Sequence, residues 1–423
     1  MESFQPAVSN GRMSSTRRTS PRPPARASSS SLASRLQPAA ASPADATASA
    51  VKALVLQGGG ALGAYQAGVY EALFEQHKDL DWVAGVSIGA INAALVAGNP
   101  PARRVERLRE FWRLVSSGAG QMLPGWAGER TWLNQFSAAS AMVAGIPGFF
   151  EPRMTPALFL GPAAPVLSYY DTAPLKATLE RLVDFDRINH HRGMRFSVGA
   201  VNVRTGNSVY FDNGSVAIRP EHIMASGALP PGFPPVHIDG EDYWDGGLVS
   251  NTPLQYVLDE HLRTRRLLVL QVDLFSARGA LPRTLGDVAM RQKDIQYSSR
   301  TRMNTDALAA NVNLQQALAA LLDRLPPHLR DEPEVAALCG HLRSEPIDIV
   351  HLIYRHKPYE LESKDYEFSR ITVEDHWQAG MHDMCRTLDH PEWLRPHAQA
   401  GGVTTYDLAE PGAARVRHPG APG

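Results

Sequence analysis

The 423-residue sequence is poor in cysteine, poor in net charge and poor in uninterrupted apolar runs. Its two cysteines, Cys339 and Cys385, cannot build a disulfide framework or a four-thiolate metal site. Structural zinc is therefore not expected, no metal or cofactor is called for, and a reducing compartment is favoured. With 42 Lys+Arg against 43 Asp+Glu the net charge is only -1, so nothing global attracts nucleic acid. Twenty residues from Thr131 to Phe150 carry no formal charge, yet Asn134, Gln135, Ser137, Ser140, Gly145 and Pro147 interrupt them. That stretch is a poor spanning helix, and no membrane span is predicted. A 43% hydrophobic content supports a sizeable core and excludes collagenous, coiled-coil and wholly disordered classes.

Composition divides the chain. Residues 1–49 are dense in Ser, Ala, Pro and Arg, with Glu2 and Asp45 as their only acids. They cannot bury enough apolar surface to offset chain entropy and are expected to be a disordered tail. An Arg-rich, acid-poor start also fits an organellar transit peptide, although no continuous apolar signal region is present. Residues 50–275 hold the motifs, 276–397 are expected to form an α/β extension packed on the core, and 398–423, rich in Gly, Ala and Pro, a flexible end.

Val51–Leu56 is a short apolar run of buried-strand type, followed by glycines and a helical pattern from Leu62 to about Gln76. Asp81–Val86 reads as a second strand and Ile88–Ala97 as a helix. Further strands are expected at 195–203, 208–211, 266–275 and 348–354, with helix over most of 284–325. Such alternation predicts a mainly parallel sheet covered on both faces.

Three local patterns carry chemistry. Gly58-Gly59-Gly60-Ala61-Leu62-Gly63 satisfies G-x-G-x-x-G at a strand-to-helix turn, where backbone N–H groups are exposed. As a dinucleotide fingerprint it fails, because Asp81, the acid at the right distance, precedes its strand and falls at the wrong end of a sheet. Gly85-Val86-Ser87-Ile88-Gly89 satisfies G-x-S-x-G, the elbow that exposes a serine hydroxyl at a helix N-terminus; a tight-turn N-cap is the plain alternative. Ser87 needs a base. His237, His261, His351 and His356 are candidates for a triad, though none has a distinctive context. Asp245-Gly246-Gly247 places an acid on an uncrowded turn, although alone it reads as a turn former.

Together, the glycine turn, the serine elbow, Asp-Gly-Gly about 158 residues beyond Ser87, its Pro-rich approach and the following Asn251-Thr252-Pro253-Leu254 resemble the patatin-like phospholipase family over roughly 51–275. The resemblance implies a three-layer α/β/α fold and a histidine-free Ser-Asp dyad acting on acyl esters of lipids. Carried over, Ser87 is the nucleophile and Asp245 the general base. Gly58, Gly59, Gly60 and Gly63 form the oxyanion turn, Gly85 and Gly89 flank the elbow, and Gly246 and Gly247 complete the acid loop. A direct carboxylate base needs a raised pKa, so Asp245 is expected to be shielded by apolar neighbours such as Tyr243 or Trp244.

One departure matters. Where many members carry a basic residue, this sequence has Leu62, so an anionic phospholipid is not expected as the preferred substrate. The expected activity is that of a phospholipase A or lysophospholipase, with neutral-lipid or short hydroxyacyl-ester hydrolysis, or acyl transfer, as the runner-up. A catalytically weak lipid-binding or regulatory protein is the reading from another class. Two segments bear on a peripheral membrane contact. The apolar region reads as a buried helix and loop, or alternatively as a cap anchored by Trp126, Trp132, Phe149, Phe150 and Phe159. The arginine-rich stretch 103–114 reads as a solvated face, or alternatively as a membrane-facing one. A cytoplasmic location, peripheral to membrane at most, is expected; oligomeric state is not legible.

Overall fold

The computed structural model describes residues 50–117, 130–153, 167–190, 193–261, 265–298, 301–330, 332–342, 345–355, 362–390, 393, 402–408 and 415–417. The tail expected over 1–49 lies outside them.

The first strand, β1 (Val51–Leu56), and the helix over Ile88–Ala97 have the bounds that their apolar runs predict. Between them come α1 (Gly63–Glu75) and β2 (Trp82–Val86), and the second helix is α2. α3 (Pro101–Val115) follows, started by a proline whose missing N–H costs a first turn nothing. A two-stranded ribbon joins β3 (Glu151–Pro152) to β4 (Tyr170–Asp171). β5 (Arg195–Asn202), β6 (Ser208–Asp212), β7 (Val236–Ile238), β8 (Glu241–Asp245) and β9 (Leu267–Asp273) complete the motif-bearing region. β10 (Ile347–Ile353), β11 (Val403–Asp407) and β12 (Arg415–Arg417) come from the C-terminal part.

These strands, the ribbon apart, form one sheet in the order β12-β11-β10-β9-β1-β2-β5-β8-β7, with β6 beside β5. Pairing is parallel from β11 through β5 and antiparallel for β12, β6, β8 and β7. Alternate residues of β1 point to opposite faces, as the strand period of two requires. Leu54 and Leu56 pack with α1, α2, α3 and the helix Arg370–Leu388, while Ala53 and Val55 pack with Leu254, Val257 and Val312 from helices on the other side. The result is the expected three-layer α/β/α arrangement. Burying a side chain such as Leu54 fully is worth about 1.5–3 kcal/mol.

The region after residue 275 supplies strands to the same sheet. β11 falls within 398–423, read from the sequence as a flexible end, and it pairs in register with β10 because Val403 and Tyr406 are buried against the core. Among the described residues no helix is long and apolar enough to cross a membrane.

The alternative readings of two segments, as an apolar cap and as a membrane-facing helix, are not met. Phe149 and Phe150 are not exposed anchors: their rings lie 6.1 and 5.1 Å from Phe233, inside an aromatic core cluster that includes Phe368. Trp126, Phe159 and the side chain of Trp132 lie outside the described residues. On α3, Phe111 and Trp112 are buried, and its arginines are largely engaged within the protein. Arg104 donates to the Asn99 carbonyl and Tyr70, Arg107 pairs with Glu110, and Arg109 makes a two-pronged pair with Glu71. These three arginines brace the protein internally, while Arg103 and Arg113 stay on the exposed face of the helix.

Candidate active site

The site begins where β2 ends. Along one edge β5 pairs continuously with β6; along the other it pairs with β2 up to Val86↔Gly199, and β8 takes over at Ala200↔Asp245. Asp245 therefore stands next to the point where β2 turns off into Ser87. Nothing larger than glycine fits after it, because a Cβ on Gly246 would lie 2.6 Å from the Gly199 carbonyl oxygen and 3.1 Å from Val86. The handover accounts for two motifs 158 residues apart meeting in space.

Ser87 has φ 56 and ψ -123, a conformation disfavoured for a side chain with a Cβ and characteristic of functional turns. Close packing holds it there. A Cβ on Gly85 would strike the Gly89 carbonyl at 2.2 Å, and one on Gly89 would strike the Leu56 carbonyl at 2.4 Å. The Ser87 N–H donates to Ser226 Oγ at 3.0 Å, and Ser226 in turn donates to the Gly199 carbonyl at 2.6 Å. Ser226 is a bracing residue that sequence reasoning passed over, although Ala225-Ser226-Gly227 lay in the approach to the acid.

Asp245 is 3% exposed. Burial pushes its pKa up to about 7, against the opposing hydrogen bonds from the Gly247 N–H, at 2.7 Å, and from the Ser87 side chain. Asp245 is thus shielded from solvent, and Tyr243, two residues before it, packs its ring edge-on against Phe211. Among the described residues no histidine is hydrogen-bonded to Ser87. His237 pairs with Asp242 on an exposed hairpin, His261 meets the Arg265 carbonyl, and His351 lies 3.9 Å from Asp273; His356 is outside the described residues.

The glycine turn faces the same spot: a Cβ on Gly58 would come within 3.0 Å of Ser87 Cβ and 2.3 Å of Asn251 Oδ1. Its N–H groups are not equivalent. Gly58 N–H already donates to the Asn251 carbonyl at 3.1 Å, whereas those of Gly59 and Gly60 have no acceptor among the described residues. Gly60 has φ 55, open to glycine at no steric cost. Gly63 starts α1 against Ile88 and its carbonyl accepts from Asn92. Leu62 is fully buried in the core, so its side chain is part of the packing and not of the site. Asp81 caps the opposite end of the sheet, where its carboxylate accepts from the Lys52 N–H, and the dinucleotide reading fails on that ground.

A buried polar chain backs the turn. Gln66 donates to the Gln57 carbonyl at 2.7 Å and accepts from Asn92, which accepts from the Trp112 indole. Gln57 Oε1 accepts from the Leu274 and Phe275 N–H groups, and its Nε2 donates to Thr252. Such amides on otherwise apolar elements were the available signal, since a buried amide is kept only when satisfied.

Residues 54–258 match the family model described as patatin-like phospholipase, and residues 295–400 match a second model described as patatin phospholipase. The two cover well over half of the sequence between them. The chain belongs to the patatin-like phospholipase family. A curated relative, a patatin-like phospholipase domain-containing protein of Caenorhabditis elegans, is 44% identical over 59 residues, which are 14% of this chain and 5% of that protein. Among solved structures, VipD from Legionella pneumophila is similar at 15% identity and a TM-score of 0.32, covering 78% of this chain and 66% of that one. Human GIVD cytosolic phospholipase A2 is similar at 13% identity and a TM-score of 0.34, covering 82% and 60%. ExoU, solved with SpcU from Pseudomonas aeruginosa, stands at 17% and 0.28, covering 60% and 51%. Membership of the patatin-like family thus rests on the two model matches, and these distant structures add no weight to it.

Proposed function

We propose that the protein hydrolyses carboxylic esters of lipids, in the manner of a phospholipase A or lysophospholipase, with Ser87 as nucleophile and Asp245 as general base. The observation that carries this is the pairing of a strained, elbow-borne serine with a buried carboxyl whose pKa is pushed up to about 7. A base with a pKa near working pH is half-ionised and still basic enough to take a hydroxyl proton in the transition state.

In the acylation step Ser87 Oγ attacks the ester carbonyl carbon while Asp245 takes its proton. The carbonyl oxygen becomes an oxyanion that the Gly59 and Gly60 N–H groups stabilise, each such donor being worth roughly 3 kcal/mol. Collapse expels the alcohol, which leaves with the proton from Asp245. Water, deprotonated by the same carboxylate, then attacks the acyl-enzyme and frees the fatty acid and Ser87. The N-terminus of α2 adds favourable partial positive charge beside the nucleophile.

Leu62 is buried in the core and does not line the site, so the residue at that position does not separate phospholipids from the runner-up class, neutral lipids or short hydroxyacyl esters. An acyl acceptor other than water would make the same site an acyltransferase. Hydrolysis of a panel of phospholipid, lysophospholipid, neutral-lipid and short-chain chromogenic esters by wild type, Ser87→Ala and Asp245→Asn tests the proposal. Loss of turnover in both folded variants supports it; lipid binding without turnover in the wild type, or full activity in Asp245→Asn, sinks it.

A further inference from the structure

The C-terminal part of the chain reaches the glycine turn at several fixed points. The helix Leu285–Tyr297 ends with its Tyr297 carbonyl accepting from Gln57 Nε2 at 3.1 Å and Asn251 Nδ2 at 3.0 Å. Gln57 precedes the turn. Asn251 follows the acid loop and holds Gly58 from both sides, donating to its carbonyl at 3.0 Å and accepting from its N–H. One helix end thus ties the residues that bracket both halves of the candidate site. The last-turn carbonyls of a helix commonly accept from groups outside it, which suits this one to the role of anchor.

The same helix grips a second segment. Lys293 pairs with Asp365 at 2.8 Å and Lys364 with Asp294 at 2.6 Å, so neighbouring helix residues bind neighbouring residues of the turn Glu362–Asp365 in crossed order. Two crossed pairs fix orientation as well as position. That turn is pressed on Gly60, since a Cβ there would fall 2.0 Å from the Asp365 carbonyl oxygen. Lys364 and Asp294 are 2% and 4% exposed, whereas Lys293 and Asp365 are each 24% exposed. A buried ion pair adds little net stability against a hydrophobic replacement, because desolvation offsets the attraction. Its placement over the glycine turn points instead to a geometric role.

We propose that the helix Leu285–Tyr297 and the turn Glu362–Asp365 form a clamp that sets the position of the Gly59 and Gly60 N–H groups relative to Ser87, with Lys293, Asp294, Lys364 and Asp365 as its positioning residues. The inference rests on the proposed hydrolase reading for its catalytic consequence. Its structural half stands apart from that reading. The C-terminal region becomes part of the catalytic apparatus without touching substrate: release of the clamp leaves Ser87 and Asp245 in place but lets the oxyanion donors wander. A displacement near 1 Å in such a site costs roughly 100-fold in rate.

The test uses the full chain carrying Lys293→Ala, Asp365→Ala, or the charge swap Lys293→Asp with Asp365→Lys; all three change only the partly exposed pair. A fourth variant, Lys364→Met with Asp294→Leu, replaces the buried pair by apolar groups of similar size. Thermal unfolding checks the fold, and amide hydrogen exchange over 58–62 reads the turn in a Ser87→Ala background, where no turnover is needed. The expected result is faster exchange over 58–62 and a kcat lowered by about tenfold or more with KM changed less than about threefold in the single variants. The swap restores most of both. Unchanged exchange over 58–62, or kcat within twofold of wild type in folded single variants, overturns the clamp. If the wild type hydrolyses no ester, the hydrolase reading fails while the exchange measurement still decides whether the clamp exists.

Discussion

Replacing Asp245 by Asn should have opposite effects on activity and on stability, and the stability effect should depend on pH in one direction only. Burial raises the Asp245 pKa from 3.8 to about 7. A gap of that size corresponds to on the order of 4 kcal/mol between the protonated and ionised folded forms. The sign follows from linkage. Between about pH 4 and pH 7 the folded protein holds a proton that the unfolded chain has released, so unfolding free energy falls as pH rises through this window. Above pH 7 the folded state carries the full cost of a buried carboxylate. Asparagine cannot ionise, so the variant lacks this contribution. Urea unfolding of wild type and Asp245→Asn from pH 5 to pH 8.5 should therefore show the variant gaining stability relative to wild type as pH rises, by up to a few kcal/mol at the alkaline end. A difference curve that is flat, or that slopes the other way, would refute the assignment of Asp245 as a strained base. The same ionisation should appear in kcat/KM of the wild type as a rising limb with its midpoint near pH 7.

Other substitutions test separate parts of the site. Gly60→Ala forces a Cβ against the Asp365 carbonyl at a φ of 55, and ester turnover should fall at least about 100-fold, measured alongside the unfolding midpoint. Ser226→Ala removes the acceptor of the Ser87 N–H and the donor to Gly199; it should cost about 1–3 kcal/mol in denaturant unfolding and lower kcat more than it raises KM. Leu62→Arg, which would install the basic residue common in the family, places a charge in a fully buried position. It should destabilise by several kcal/mol instead of improving activity, and a thermal scan will read this.

Much of the arrangement was legible because local pattern and tertiary role coincide. Val51–Leu56 and Ile88–Ala97 are apolar apart from Lys52 and Asn92, and the strand is buried from Ala53 onward and the helix along its whole length. Ser87 and Asp245 could be paired from the sequence only through family resemblance. The physical reason they meet, β8 replacing β2 along the edge of β5, depends on a register that no local pattern encodes. Strand β11 was missed because its run of five residues is short and preceded by glycines, and its burial comes from core residues distant in sequence on the two faces of the sheet. The unequal standing of the glycines was likewise hidden. Gly58 loses its N–H to the Asn251 carbonyl across 193 residues of sequence, which leaves Gly59 and Gly60 as the donors of the turn that have no acceptor among the described residues. The clamp depends on a backbone carbonyl, that of Tyr297, and side-chain identity gives no sign of it.

The most direct test of the central claim is covalent capture. Wild type, Asp245→Asn and Ser87→Ala are incubated with a serine-directed alkyl fluorophosphonate at pH 8, and the adduct is mapped by peptide mass spectrometry. A single adduct is expected on Ser87 in the wild type, formed at least about 100-fold more slowly in Asp245→Asn and absent from Ser87→Ala. Equal labelling rates in wild type and Asp245→Asn, or an adduct on another residue, would contradict that claim.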